Sequence, residues 1–249
     1  MEPIVAPHPA LRRYYGREGK RSFVRDIFNH TAGDYDRIER MMAFGSGSWY
    51  RHQALLRAGL AKGMRVLDVA IGTGMVAREE ITITGDAKLV VGLDPSIGMI
   101  TEARRSLAVS TVLAAAEEIP LADASFDFLS MGYALRHMSD LSVTFRQFFR
   151  VIKPGGTVCI LEITRPPRGL KRLIMKIYMR VVVPAITRFT TKRADSQRLW
   201  QYYWDTIEAC VPVETVMESL TAAGFEDVRH HKELGMFSEY TARKPAAAV

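Results

Sequence analysis

Five apolar runs mark the first two thirds of the chain, at residues 65–71, 88–93, 109–113, 126–131 and 157–163, and helical spacing recurs between them at 75–83, 99–107 and 141–152. The first run, Arg65-Val-Leu-Asp-Val-Ala-Ile, breaks into Gly-Thr-Gly74, and the second, Lys88-Leu-Val-Val-Gly-Leu, ends on Asp94-Pro-Ser. Continuous apolar runs separated by helices predict buried parallel strands in a doubly wound α/β sheet. The helix 141–152 stops at Lys153-Pro-Gly-Gly156, because proline cannot continue it. The β-branched Ile81-Thr-Ile-Thr weakens the end of the helix 75–83. Two late runs, 225–230 and 234–241, predict an antiparallel edge and bring the sheet to seven strands.

The pattern changes on either side of this core. Residues 1–21 contain Pro3, Pro7, Pro9, Gly16 and Gly19 without apolar periodicity, and with Arg12, Arg13, Arg17, Lys20 and Arg21 they predict a flexible basic arm. Residues 22–63 form a helical preface: Phe23, Val24, Ile27 and Phe28 share a face, Ile38, Met41 and Met42 form a second group, and a helix with Ala54, Leu55 and Ala58 runs to Gly63. Residues 64–163 are the core. Residues 164–210 form a basic and aromatic helical insert in which Leu170, Leu173, Ile174, Ile177, Tyr178 and Val181 fall on one helix face and Arg172, Lys176 and Arg180 elsewhere, with Pro184 as the stop. Trp200, Tyr202, Tyr203 and Trp204 then mark an aromatic helix expected in the core or as a pocket wall. Residues 211–249 hold a helix at 213–223, closed by Gly224, and the late strands. The arm apart, residues 22–249 read as one domain.

Composition narrows the picture. With 249 residues and 48% hydrophobic content the chain can bury one large core. It shows neither a spanning apolar run nor a secretory leader. A cytoplasmic chain is expected, with organellar targeting left open. Cys159 and Cys210, the two cysteines, support neither a disulfide framework nor a cysteine-based metal site, and no metal is expected. The net charge of +7 is concentrated between Thr164 and Ala194, where nine Lys or Arg occur with no Asp or Glu. That insert is either a core-facing helix with a solvated back or an amphipathic element lying on an anionic membrane surface through residues 165–193.

The candidate chemistry lies at the strand ends. Gly72 and Gly74 can take left-handed angles and let backbone N–H groups approach a ligand. Asp68 sits where the first strand ends, either facing that ligand or fixing the glycine turn. Asp94, about 20 residues past the glycines, is placed to take ribose hydroxyls. The first glycine position of a dinucleotide loop holds Ala70 here, so the loop alone is also compatible with a plain strand-turn-helix.

These parts together resemble the class I S-adenosylmethionine-dependent methyltransferases, and within them the UbiE/MenG-like quinone C-methyltransferases. The resemblance rests on residues 28–36 with Tyr35-Asp36, Leu67-Asp-Val-Ala-Ile-Gly-Thr-Gly74, Gly92-Leu-Asp94, Ala116-Glu117-Glu-Ile-Pro120, Ser125-Phe-Asp127, Leu135-Arg136-His137, the Lys153 to Gly156 turn with Arg150 before it, and Leu161-Glu162. It implies a Rossmann-like fold, a mostly parallel seven-stranded sheet with an N-terminal helical lid and a helical insert after strand five. It also implies S-adenosylmethionine as cofactor: Gly72, Thr73 and Gly74 along its methionine part, Asp68 orienting its ammonium, Asp94 on the ribose, Ala115, Ala116 and Glu117 around the adenine, and Gly132 near the sulfonium. Two departures stand out. Ala115 replaces a side chain that would bond the adenine amino group, and His137 stands where the quinone enzymes carry Asn.

The implied reaction is C-methylation of a quinol or phenolic ring. Ionising a phenol of pKa near 10 costs about 4 kcal/mol at pH 7, and one charge-assisted hydrogen bond contributes roughly 1.5–3 kcal/mol. Arg136 alone falls short of that cost, so the hypothesis gives Arg136 the phenolate, His137 the proton, and Tyr35 with Asp36 the lid over the cofactor; the alternative is that Arg136 pairs with an acid such as Asp140, His137 caps or packs, and Tyr35 and Asp36 pack between helices. The partners implied are a small aromatic or prenylated quinol and an inner membrane surface touched peripherally. No nucleic acid is expected, and a homo-oligomer is compatible. The competing readings are methylation of another aromatic natural product or lipid head group at O, N or C, an RNA methyltransferase, and a non-catalytic protein of the same fold.

Overall fold

The computed structural model describes residues 4–15, 19–42, 46–165, 169–183, 185 and 194–247. Pro184, the side chains of Ile38, Met41, Met42 and Lys171, and the basic residues Arg17, Arg168, Arg188, Lys192 and Arg193 lie outside the described residues.

Two helices, α1 (Lys20–Met42) and α2 (Ser46–Arg57), precede a seven-stranded sheet. The alternating units are β1 (Val66–Val69), α3 (Met75–Thr84), β2 (Val90–Asp94), α4 (Ile97–Ser106), β3 (Ser110–Leu113), β4 (Phe126–Gly132), α5 (Leu141–Val151) and β5 (Ile152–Ile163). The insert begins as α6 (Leu170–Ile177) and continues through a π-helical turn, Tyr178–Val182. It is followed by α7 (Ala194–Ala209), α8 (Val213–Ala222), β6 (Glu226–Glu233) and β7 (Phe237–Arg243). The strand order is β3-β2-β1-β4-β5-β7-β6, with β7 antiparallel to both neighbours and the other pairs parallel.

The alternation of side chains along a strand divides the core. Leu67 and Val69 of β1 pack on one face of the sheet with Phe145 and Phe148 of α5 and Val216 and Leu220 of α8. Val66 faces the other side with Leu55 of α2, Val76 and Ala77 of α3 and Ala103 of α4. Asp68 shares that second face and is paired in register with Ser130 of β4. The helix stop at Lys153-Pro-Gly-Gly156 lies inside the first turn of β5: β4 pairs Ile152 and then skips to Thr157, and Gly155 takes φ 78° within the irregularity. A third cluster joins Ile27 of α1, Met175 and Met179 of the insert, and Leu199, Trp200, Tyr203 and Trp204 of α7. It forms a roof over one end of the sheet.

Two readings of the chain are corrected here. The amino-terminal segment is tied down rather than a flexible arm over residues 4–15. Leu141 N–H donates to Val5 O at 2.8 Å and Val211 N–H to Pro7 O at 2.9 Å, so the segment straps α5 to the chain entering α8. His8 and Tyr15 are buried, and Tyr14 and Arg13 both bond Asp205. The insert helix also faces the other way from a core-facing apolar stripe. Leu170, Leu173, Ile174, Ile177 and Val181 are 50–71% exposed, while Met175, Met179 and Val183 are buried. Arg172 and Arg180 hold this orientation by pairing with Glu208 and Asp205 of α7, at 2.8 and 3.5 Å. Among the described residues no helix is long and apolar enough to cross a membrane.

Candidate active site

The carboxyl ends of β1, β2 and β4 open into a cavity of about 700 Å³, roofed by α1, α6 and α7. Ligands of doubly wound sheets bind at this edge because the loops there diverge. The turn after β1 is tight: Ala70, Gly72 and Gly74 have φ 58°, 57° and 90°, Ile71 N–H donates to Leu93 O at 3.0 Å, and Gly74 N–H to Ile71 O at 2.9 Å. Ala70 thus takes the left-handed angles of a glycine, a strained conformation for a residue with a Cβ.

Asp94 anchors the floor. Its two carboxylate oxygens accept Gly72 N–H at 3.0 Å and Ser96 N–H at 2.8 Å. Burial raises its pKa to about 6, and the two backbone donors oppose the rise. Each oxygen has a second lone pair, so a ribose diol can still be bonded. Asn29 of α1 completes the wall, its Oδ1 accepting Ser96 Oγ at 2.6 Å and Gly98 N–H at 3.0 Å.

Nine of the twelve residues singled out from the sequence line this cavity: Tyr35, Gly72, Thr73, Asp94, Ala115, Ala116, Glu117, Gly132 and His137. Glu117 is also committed to the loop, accepting Ser139 N–H at 2.8 Å. Gly132 is required by packing, since a Cβ there would lie 2.5 Å from Val76 Cγ2. Asp68, Gly74 and Arg136 do not line the cavity. A Cβ on Gly74 would overlap Leu107 of the neighbouring loop, so that glycine serves helix packing. Asp68 lies one layer beneath, on Ser130.

Arg136 is the main correction among the site residues. It is 0% exposed, ion-paired with Glu162, within 3.3 Å of Thr206 Oγ1, and its guanidinium stacks over the Tyr203 ring at 5.2 Å. A group held this way does not line the cavity and meets it only through the ring of Tyr203, which does. His137 does line the cavity, with Phe28, Tyr202 and Tyr203 around its ring and Nδ1 within 3.3 Å of Tyr202 Oη. Burial first, and then the charges of Arg136, Lys20 and His8, hold its pKa well below 6.5. The imidazole is therefore neutral at pH 7, the form that can accept a proton.

The residues that sequence reasoning left outside the site come from the roof, where they surround Tyr35. Tyr35 Oη and Tyr203 Oη lie 2.5 Å apart, Trp200 stacks on Tyr35 at 6.1 Å, and Met175, Tyr178, Met179 and Met236 complete this half of the cavity. The aromatic density of 200–204 was the available signal; the methionines gave none. The cavity as a whole fits S-adenosylmethionine: Asp94 and Glu117 supply acids, Gly72 and Gly132 leave room, Thr73 Oγ1 is a buried hydroxyl with no hydrogen-bond partner among the described residues, and aromatic faces suit a sulfonium. Among the described residues no group of three His, Cys, Asp or Glu could hold a metal ion.

Two outcomes follow from these burials. Replacing Glu162 by Gln leaves the Arg136 guanidinium buried without its counter-charge, and unfolding in urea is expected to show a loss of roughly 3–5 kcal/mol; a stability within 1 kcal/mol of wild type, on the order of a surface change, would refute the buried pair. The second outcome concerns pH. Asp94 and Asp68, raised to about 6 and about 7 by burial, bind protons more tightly folded than unfolded, so their contribution is complete at low pH and is lost as pH rises through those values. His8 and His137 are lowered by burial and act in the opposite sense, losing their contribution as pH falls below 6.5. The cofactor-free protein should therefore lose on the order of 1–2 kcal/mol between pH 6.5 and 8, and a urea midpoint that is higher at pH 8 would contradict this.

Comparison with known proteins agrees with the geometry. Residues 16–244 match the ubiE/COQ5 methyltransferase family. The chain is 32% identical over 216 residues to the ubiquinone/menaquinone biosynthesis C-methyltransferase UbiE of Shewanella frigidimarina, covering 84% of this chain and 85% of that protein. Among solved structures, the [4+2]-cyclase SpnF superposes with a TM-score of 0.66 at 19% identity, covering 99% of this chain and all of that one. Phosphoethanolamine N-methyltransferase 2 of Haemonchus contortus, in complex with phosphomonomethylethanolamine and S-adenosylhomocysteine, gives 0.63 at 19% identity, covering 89% of this chain and 60% of that one. Identities this low speak for the fold alone, whereas the family match spans nearly the whole chain. The chain belongs to the ubiE/COQ5 methyltransferase family and is an S-adenosylmethionine-dependent methyltransferase of the class I fold.

Proposed function

We propose that this enzyme methylates a ring carbon of a quinol that carries an apolar chain, in quinone biosynthesis. The observation that carries the reading is the division of the cavity. Gly72, Asp94 and Gly132 form one end, and Phe28, Tyr35, Met175, Met179, Trp200, Tyr203 and Met236 form the other. Flat aromatic walls suit a ring acceptor, and methionines adapt to an irregular apolar chain. The relative named for C-methylation in ubiquinone and menaquinone biosynthesis supports the same acceptor class.

When bound, S-adenosylmethionine supplies an electrophilic methyl group. The protein must align a ring carbon with it, exclude water and lower the cost of a phenolate. We assign alignment to the aromatic walls. Neutral His137 accepts the phenolic proton. The Tyr35–Tyr203 hydroxyl pair, backed by the Arg136 charge behind the Tyr203 ring, stabilises the oxygen that loses it. Incubation with S-adenosylmethionine and demethylated benzoquinol, naphthoquinol and simple phenols, read by mass spectrometry, should add one methyl to a quinol ring carbon. Methylation of a phenol oxygen alone, with no quinol product, would overturn the assignment.

Access for such a substrate is proposed through α6. Together with the π-helical turn that continues it, its inner side lines the cavity at Met175, Tyr178 and Met179, and its outer side exposes Leu173, Ile174, Ile177 and Val181 within the basic segment 165–193. Basic residues near an anionic surface contribute about 1 kcal/mol each, so this face is assigned to peripheral membrane contact. Flotation with anionic vesicles should carry the wild-type protein upward and leave an Ile174→Glu/Ile177→Glu variant behind; equal flotation of both would refute α6 as the contact.

A further inference from the structure

Beneath the cavity floor lies a buried acid pair that the methyl transfer itself does not use. Asp68 of β1 and Ser130 of β4 are paired in register, and Glu80 reaches them from the facing side of α3. Asp68 and Glu80 are 1% and 0% exposed. Ser130 Oγ is within hydrogen-bonding distance of both carboxyls, 3.2 Å from Asp68 Oδ1 and closer still to Glu80 Oε1. A serine hydroxyl has one proton and can donate it to only one of them. The other contact joins two oxygens and requires a proton on a carboxyl. Among the described residues the remaining oxygens, Asp68 Oδ2 and Glu80 Oε2, are buried without a hydrogen-bond partner, although the Ala77 N–H is near enough to Asp68 to favour its charged form.

We propose that Asp68 and Glu80 share one proton through Ser130 in the cofactor-free protein and release it to solvent as the cationic cofactor binds, which makes Glu80 a positioning residue for cofactor charge. The linkage follows from placement. Gly132, two residues beyond Ser130 on β4, and Ala70, the first residue after β1, line the cavity, and two residues of strand span about 7 Å. S-adenosylmethionine has a sulfonium and an ammonium against one carboxylate, so it enters with net positive charge; the thioether left after methyl transfer has none. A positive charge this close, across protein and not water, favours ionisation of the pair. The site therefore holds the methyl donor more tightly than its product, increasingly so as pH rises, and this assists product release.

The other titratable groups facing the pair are Asp94 on β2, Cys159 on β5 and, beyond Cys159, Glu239 of β7 with its partner Arg57 of α2. No cation among the described residues pairs with either acid. Burial, opposed by the Ser130 hydrogen bond and reinforced by the Asp94 charge, raises Asp68 to about 7, and burial followed by the Asp68 charge raises Glu80 well above the usual range. Asp94 is the other acid able to supply a proton, so the test must separate it from the pair.

The test is calorimetry of S-adenosylmethionine binding at pH 7 in phosphate and in Tris, whose different ionisation heats count the protons released. Wild type should release a substantial fraction of a proton, Glu80→Gln much less, and S-adenosylhomocysteine less than the methyl donor in wild type. Donor affinity in wild type should rise with pH, by up to about tenfold per unit for a full proton, with the slope flattened in Glu80→Gln. Cofactor binding without proton release would overturn the proposal and leave the enzyme assignment standing, as would release unchanged in Glu80→Gln, which would point to Asp94. Absence of binding heat in every buffer would overturn the cofactor assignment and the proposal with it. A readout on wild type alone covers failure of the variant to fold: the infrared difference spectrum on cofactor binding should lose a protonated-carboxyl band, and an unchanged carboxyl region would overturn the shared proton.

Discussion

The Asp94 carboxylate, bridging Gly72 N–H and Ser96 N–H, is the contact on which the site is built. It ties the turn after β1 to the entry of α4, so the two loops that must enclose a nucleoside cannot move apart independently. Asn29 extends the same constraint to α1 by bonding Ser96 and Gly98. A Cβ on Gly98 would stand 2.8 Å from Asn29 O, and the absent side chain is what lets the lid helix approach this closely. One buried acid therefore shapes both the floor and the near wall of the cavity. Its raised pKa is the electrostatic cost of that position.

The far wall depends on a second buried charge. Arg136 and Glu162 lie at the ends of two neighbouring units, one after β4 and the other in β5, and their pairing brings the 135–137 turn against α7. Tyr203 takes the guanidinium on its ring and the Tyr35 hydroxyl on its own, which links the arginine to α1. Lys20, donating to Met138 O at 2.6 Å, closes the same loop from the start of α1. The polar network thus holds an aromatic roof that hydrophobic packing alone would leave free to slide.

Glu80 and α6 show the two ways in which this chain departs from a simple inside-outside rule. Glu80 places a carboxyl in the middle of a core face, tolerable because Ser130 and a shared proton reduce its charge. The insert exposes leucine and isoleucine while methionines face inward, the arrangement on which the proposed membrane contact rests. Both features lie next to the cavity and connect its chemistry to its surroundings, one to solvent protons and the other to the source of an apolar substrate.

The strand-helix alternation, the antiparallel edge, the glycine turn and the cavity-lining acid at the end of β2 were legible in the sequence, because they depend on local periodicity and on acids at strand ends. So was the aromatic character of 200–204. What the sequence could not decide is direction at long range. Arg136 adjoins His137 in the chain, yet the pairing with Glu162 turns it away from the cavity, and Glu162 lies 26 residues on. The apolar stripe of α6 has the same periodicity whether it faces inward or outward, and only the ion pairs with Asp205 and Glu208 settle which. The amino-terminal segment lacks periodicity, since its order comes from backbone bonds to residues 141 and 211 and from separate side-chain contacts such as Arg13 and Tyr14 on Asp205, which follow no local pattern. Local patterns set the elements, and contacts between residues far apart in sequence decided which side chains reach the site.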